Sequence, residues 1–164
     1  MFGWQGKILR IDLSGGTCRT EPLPVDLMQN YIGGRGMCDR ILFDEIDPQI
    51  DALSPANKLI FATGPLTGSG APAASRFIAS AKSPLSNCVS SPCCGGYFGA
   101  NLKYSGYDLI IFEGKSPEPV YVAILNDRVE INPASHLCGK LCTDTEHLIR
   151  ADMKARFGLD NWAL

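Results

Sequence analysis

No stretch of about 18 apolar residues occurs in this sequence, so no helix that spans a bilayer is expected. The opening residues, Met1 to Gly6, lack a basic segment, an apolar run and a small-residue cleavage site. They do not read as a signal peptide, and the expected compartment is the cytoplasm. An excess of one charge is also missing. Fifteen Lys and Arg face seventeen Asp and Glu, and a nucleic-acid binder needs a basic surface to neutralise phosphates. Histidine is scarce: His136 and His147 are the two, and neither sits in a Ser or Cys nucleophile motif. There is no Cys-x-x-Cys, no Gly-x-Gly-x-x-Gly and no phosphate loop ending in Gly-Lys-Ser/Thr.

What is present begins with an ordinary globular balance, 45% AVILMFWYC and 20% charged residues over 164 positions. Such a chain is long enough to bury a core as one domain, spanning 1–164. Glycine (17) and proline (11) are plentiful, which predicts many turns and a β-containing fold. Cysteine numbers seven, at 18, 38, 88, 93, 94, 138 and 142. The odd count excludes complete internal pairing. Cys88 with Cys93–Cys94, or Cys138 with Cys142, could in principle bind zinc or an iron–sulfur cluster, but the spacings miss the common patterns. The plainer reading is that the cysteines are small buried apolar residues.

Residues 7–13 alternate as a half-buried strand, followed by a Gly15-Gly16 turn and a second strand over 17–21. Residues 25–46 predict two short helices joined by the glycine turn Gly33-Gly34-Arg35-Gly36, stopped by Asp47-Pro48. Buried strands are expected at 58–63 and 109–114, further strands at 76–81 and 88–90, and a helix over 98–104. Residues 64–72 and 92–99 read as glycine-rich loops. A second hairpin flanks Asn126-Asp127 (120–125 and 128–131), and Thr143 to Glu146 reads as a capping box for a helix through about Phe157. A hairpin followed by a helix thus occurs at both ends, consistent with an internal duplication or with chance. The expected fold class is α+β, mainly antiparallel sheets with a few short helices. The end, 159–164, carries no glycine or proline and reads either as the edge of a longer polypeptide or as a short last strand.

Two kinds of feature could carry binding. Glycine loops let backbone N–H groups approach a ligand closely, although taken singly both loops read equally as turns. Arg76 opens a strand directly after one of them. Its planar guanidinium suits a flat heteroaromatic ring or a phosphate, or else it is an exposed strand charge.

Several strings together resemble the aldehyde ferredoxin oxidoreductase family: Gly6 to Ser14, Gly33 to Gly36, Asn57 to Pro72, Gly95 to Ala100, and Gly106 to Ile110. The likeness runs over essentially the whole chain. It implies an N-terminal domain that forms a base beneath a bis-pterin cofactor holding tungsten or molybdenum through dithiolene sulfurs. It further implies a [4Fe–4S] cluster and a second cofactor motif supplied by sequence beyond this chain, which alone would then be inactive. Ferredoxin as electron acceptor, the remaining enzyme domains as partners and a homo-oligomer belong to the same expectation. On this resemblance Arg76 contacts pterin, and Cys93, Cys94, Gly95 and Gly96 form the loop at the pterin phosphate. The backbone carbonyl of Cys93 is placed to help hold Mg²⁺, a hard cation that prefers oxygen. The family carries small polar residues at 93 and 94, where this chain has cysteines. A backbone contact survives that change; a side-chain contact does not. The alternative function is a non-catalytic assembly domain that pairs with another subunit.

Overall fold

A computed structural model of the chain describes residues 3–158. The chain order is β1 (Lys7–Asp12), β2 (Thr17–Pro22), α1 (Val25–Tyr31), α2 (Gly34–Glu45), β3 (Lys58–Thr63) and β4 (Phe77–Lys82). Two short pieces, β5 (Val89–Ser90) and β6 (Cys93–Cys94), precede α3 (Phe98–Tyr104) and β7 (Leu109–Glu113). The hairpin β8 (Val120–Leu125) and β9 (Arg128–Pro133) leads into α4 (Cys142–Phe157). The main sheet runs β2-β1-β7-β3-β4-β5, with β6 also on β4, and β8-β9 forms a separate two-stranded sheet. Every pairing is antiparallel except β1 with β7. The α+β expectation holds. Both hairpin-plus-helix units are present, the first embedded in the large sheet and the second standing apart. Residues 159–164, read above as an edge or a short strand, lie outside the described residues.

The sheet is packed on both faces. Ile8, Ile60, Ala62, Leu109 and Ile111 meet Met37, Cys38, Ile41 and Leu42 of α2. The opposite face presents Leu9, Ile11 and Ile110 to Leu102 and Tyr107, and the second hairpin closes over it with Val122, Ile124, Val129 and Ile131. Four phenylalanines (61, 77, 98 and 112) cluster there, with ring centroids 4.7–6.0 Å apart.

The prediction of a half-buried strand at 7–13 is corrected. Four consecutive residues of β1, Ile8 to Ile11, are buried. Arg10, the polar member of the alternation, is only 7% exposed. Its guanidinium bonds Glu45 at 2.8 and 2.9 Å, Glu21 at 3.2 Å and Glu113 at 3.2 Å. Lys58 joins the cluster at 2.7 Å from Glu113 and 2.9 Å from Glu45, and the exposed Arg19 lies 2.9 Å from Glu21 and 3.6 Å from Glu113. A charge can be buried when it is paired and hydrogen-bonded in this way. Burial pushes the Glu45 carboxyl up, but hydrogen bonds from Arg10 and Lys58 and their charges outweigh it and hold the group at about 2.

The capping box is a second correction. The last helix starts at Cys142 with Leu141 as its N-cap, and no side chain caps it. Thr143 already lies inside the first turn, so it cannot serve as the N-cap that the motif requires. Gly158 does end the helix, at φ +67.

The third correction concerns residues 88–94, read as a short strand and then a loop. Their pairings with β4 share one register: Lys82 with Val89, Ala81 with Ser90, Ile78 with Cys93 and Phe77 with Cys94. Ser83 N–H donates to Cys88 O at 2.9 Å and Ala79 N–H to Pro92 O at 3.1 Å, in step with that register. β5 and β6 are therefore one edge strand passing through Pro92, which cannot return a ladder bond.

Candidate functional site

At the C-terminal end of β3 and the N-terminal end of β4 the chain makes three bends that meet. Gly64 to Pro72 follows β3, Ile32-Gly33-Gly34 joins α1 to α2, and Gly95-Gly96 follows the edge strand. A cleft of about 260 Å³ is lined by Gly33, Gly34, Gly64, Pro65, Thr67 and Arg76, among others.

The two inner bends touch. A Cβ placed on Gly33 would meet Gly64 Cα and Thr63 O at 3.0 Å and the Trp4 ring at 2.8 Å. Gly33 has φ +128 and ψ −177, a conformation essentially confined to glycine. Thr67, 7% exposed, ties this arrangement to β4. Its hydroxyl accepts from Gly64 N–H and donates to the Arg76 carbonyl, both at 3.1 Å. Trp4 is held from behind by Lys103, whose ammonium lies 4.9 Å from the ring centroid. That ammonium donates to Asp108 at 2.7 Å and to Gly3 O at 2.6 Å. Asp108, fully buried, also accepts the N–H groups of Gln5 and Gly6.

Arg76 stands just ahead of β4 and is exposed. Among the described residues, no hydrogen bond or ion pair takes up its guanidinium; only its backbone carbonyl is engaged. Continuing the edge-strand register places Gly95 opposite Arg76. A Cβ on Gly95 would lie 3.9 Å from the Arg76 Cδ and Nε. The guanidinium therefore runs beside bare backbone.

The ladder also orients the backbone of Cys93. Bonded and non-bonded positions alternate in an antiparallel pair. Since Ala79 bonds Pro92, Cys93 falls on a non-bonded position. Its N–H and carbonyl point away from β4, as do those of Ser91, whose carbonyl accepts from Arg35 Nη2 at 3.2 Å. The Cys93 carbonyl thus faces the outer edge, an oxygen of the kind that suits a hard cation or a ligand N–H.

Arg76, Cys93, Cys94, Gly95 and Gly96 are therefore brought to one corner of the sheet. Cys93 and Cys94 are exposed and free. Successive residues of a strand project to opposite faces, so the two thiols do not converge on one ion. The expectation that the cysteines are buried apolar residues fits Cys38 alone. Cys18 is half-buried, and Cys88, Cys93, Cys94, Cys138 and Cys142 are exposed, because the edge strand and the loop before α4 have no layer over them. Burial pushes the Cys38 thiol up to about 12. Residues between Cys138 and Cys142 form a turn, with Gly139 at φ +75, so those thiols do not share a helical face. Among the described residues, no three His, Cys, Asp or Glu side chains assemble a metal-holding group. No helix among them is long and apolar enough to cross a membrane.

Gly33, Gly34 and Thr67 were not singled out from the sequence as site residues. The signal available was the glycine pair interrupting two helices, which marks a bend without saying what it faces. A larger cleft of about 420 Å³ lies between the sheet and the second hairpin. Leu13, Leu59, Phe61, Phe112 and Val122 line it with Asn57 and Lys58, whose amide and ammonium are already bonded to Ala52 O, Lys82 O and Glu113.

The corner thus brings together a guanidinium without a partner, backbone with no Cβ above it, and an outward carbonyl at Cys93. The family model for the aldehyde ferredoxin oxidoreductase N-terminal domain matches residues 8–160. A tungsten-containing aldehyde ferredoxin oxidoreductase of Pyrococcus horikoshii is 47% identical over 153 residues, 93% of this chain and 25% of that protein. An aliphatic sulfonate oxidoreductase, WOR-like subunit, of Pyrococcus furiosus is 39% identical over 142 residues, 85% of this chain and 22% of that protein. Among solved structures, the active site complex BamBC of benzoyl coenzyme A reductase, in complex with 1,5-dienoyl-CoA, superposes with a TM-score of 0.91 at 40% identity. That match covers 93% of this chain and 23% of the other. The chain spans about a quarter of the length of the curated relatives it matches.

Proposed function

The chain belongs to the aldehyde ferredoxin oxidoreductase family, whose N-terminal domain it carries, and from that premise we propose that it holds one side of a tungsten bis-pterin cofactor. Molybdenum in the same dithiolene setting is the variant of this reading. The observation that carries it is the corner where an unpartnered Arg76 runs beside Gly95, next to the outward carbonyl of Cys93. In the full-length protein the bound cofactor supplies the redox chemistry, with the pterin sulfurs gripping the metal.

This chain's own residues bind and orient. Arg76 offers five donors in a plane to ring edges or phosphate oxygens. Gly95 and Gly96 keep the approach free of side chains, with Gly96 at φ +91. The Cys93 carbonyl points to the open edge and would be the oxygen that helps hold Mg²⁺ there. Neither cysteine side chain is needed for that contact. The proposed activity of the whole protein is oxidation of an aldehyde to a carboxylic acid, with electrons leaving through a [4Fe–4S] cluster to ferredoxin. The cluster would be held by other domains of the same enzyme. Aldehyde is preferred over the sulfonate and thioester substrates named for other relatives because the tungsten-containing aldehyde enzyme is the more similar in sequence.

The test is Arg76→Ala in the full-length protein, read as pterin and tungsten per polypeptide after purification. The content should fall by an order of magnitude or more, since a bidentate charge-assisted contact is removed. Undiminished content overturns the reading.

A further inference from the structure

The edge strand that carries Cys93 to Gly96 is weakly held by its own backbone. It lies on one side of β4 only, and Pro92 removes a ladder bond in its middle. An edge strand so interrupted is prone to slip, and a slip of one residue would take Gly95 away from Arg76 and turn the carbonyls of 91 and 93 inward.

Ser91, directly before the proline, is engaged by side chains from two other elements. Its hydroxyl accepts from Ser80 Oγ of β4 at 2.8 Å and donates to Asp39 Oδ1 of α2 at 2.8 Å. Its carbonyl, on the outer edge, accepts from Arg35 Nη2 at 3.2 Å. Ser80 is fully buried. Arg35 and Asp39 are four residues apart on α2 and therefore share one face of the helix. Arg35 belongs to the same Gly33-Gly34-Arg35-Gly36 turn that abuts Gly64 in the cleft. One element thus touches both sides of the proposed site: its first residues form the inner bend, and its first-turn side chains grip the outer strand.

We propose that Ser91 is a positioning residue that pins the register of the cofactor loop. Asp39, Ser80 and Arg35 act as its clamp. The ladder bond that Pro92 cannot make is replaced by side-chain bonds one residue earlier, and these set which carbonyls face the cofactor. The proposal rests on the reading of this corner as a pterin site.

The experiment uses the full-length holoenzyme with four variants, Ser91→Ala, Ser91→Thr, Asp39→Asn and Arg76→Ala. Pterin and tungsten content, the rate of cofactor loss and amide hydrogen exchange over residues 88–96 are measured. Ser91→Ala removes the acceptor that the buried Ser80 hydroxyl uses here and the donor to the Asp39 carboxylate. It should speed cofactor loss about tenfold, equivalent to about 1.4 kcal/mol, and raise exchange in 88–96 while the rest of the sheet keeps its protection. Ser91→Thr retains the hydroxyl and should restore wild-type retention. If Ser91→Ala fails to fold, the near-isosteric Asp39→Asn decides by the same readouts. Wild-type retention in Ser91→Ala alongside cofactor loss in Arg76→Ala overturns the clamp and leaves the pterin site standing. Full retention in both overturns the site and the clamp together. Loss of protection spread over the whole sheet in Ser91→Ala overturns the clamp as well, because it would mark Ser91 as a general support of the fold.

Discussion

Replacing Gly33 by alanine tests whether the close approach of the two inner bends shapes the cofactor corner. Two costs add. The backbone at φ +128, ψ −177 is one that an L side chain avoids, at about 1–3 kcal/mol. The new methyl would also sit 2.8 Å from the Trp4 ring and 3.0 Å from Gly64 Cα and Thr63 O. Two of these three neighbours are backbone. The third has Lys103 over its ring, and that ammonium is anchored on the fully buried Asp108. Nothing nearby is the free end of a flexible side chain, so overpacking adds about 1–3 kcal/mol. A total of about 4 kcal/mol corresponds to about 8–16 °C for a domain of 150–250 residues, and to a smaller drop in a longer protein that unfolds as one unit. Differential scanning calorimetry of the full-length protein, with pterin content measured in parallel, should show both a lower transition and reduced retention. Gly70→Ala is the control, from the loop after β3 that Gly33 abuts but with nothing within 4 Å of the added carbon. A Gly33→Ala protein that melts and retains pterin like Gly70→Ala would refute the argument.

Arg10→Met removes the hub of the ion cluster and leaves Glu45 to Lys58, Glu21 to the exposed Arg19, and Glu113 to both. Because those carboxylates keep 22–31% of their side-chain surface in water, the cost is held to about 2 kcal/mol rather than the larger figure for a fully buried pair. Thermal melting should fall by about 4–8 °C, and an unchanged transition would show that solvent already screens the cluster. The same cluster sets acid sensitivity. Glu45 titrates at about 2 in the folded protein against 4.5 for a free carboxyl. Its contribution is therefore complete above about pH 4.5 and is lost as pH falls toward 2. Melting temperature plotted against pH should drop across that window, and more shallowly in Arg10→Met; parallel curves would remove Glu45 as the cause.

Local patterns were readable in the sequence because they depend on near neighbours. Gly15-Gly16 and Asn126-Asp127 mark their hairpins, and the apolar run of β3 announces its burial. Three features were not readable. The parallel pairing of β1 with β7 joins residues about a hundred positions apart, and no local period encodes it. Arg10 looked like the solvent face of β1 because its partners, Glu45 and Glu113, are distant in the chain. The strand through Pro92 was masked by Pro-Cys-Cys-Gly-Gly, a composition of turns, and only a constant register against β4 reveals it. The candidate site follows the same division. Arg76 and Gly95-Gly96 were visible as residue types suited to a flat ligand, whereas Thr67, Gly33 and Ser91 acquire meaning only when separate bends are brought together.

The position of β1 between β2 and β7 has a consequence for synthesis. A nascent chain leaving the ribosome at about 5–20 residues per second must wait roughly 5–20 s between its first strand and that strand's parallel neighbour. During that interval one side of β1, rich in isoleucine and leucine, has no mate. The early hairpin with β2 shields its other side. Assembly of the glycine corner, in which Asp108 anchors Lys103 behind Trp4, cannot precede the emergence of residues near 110.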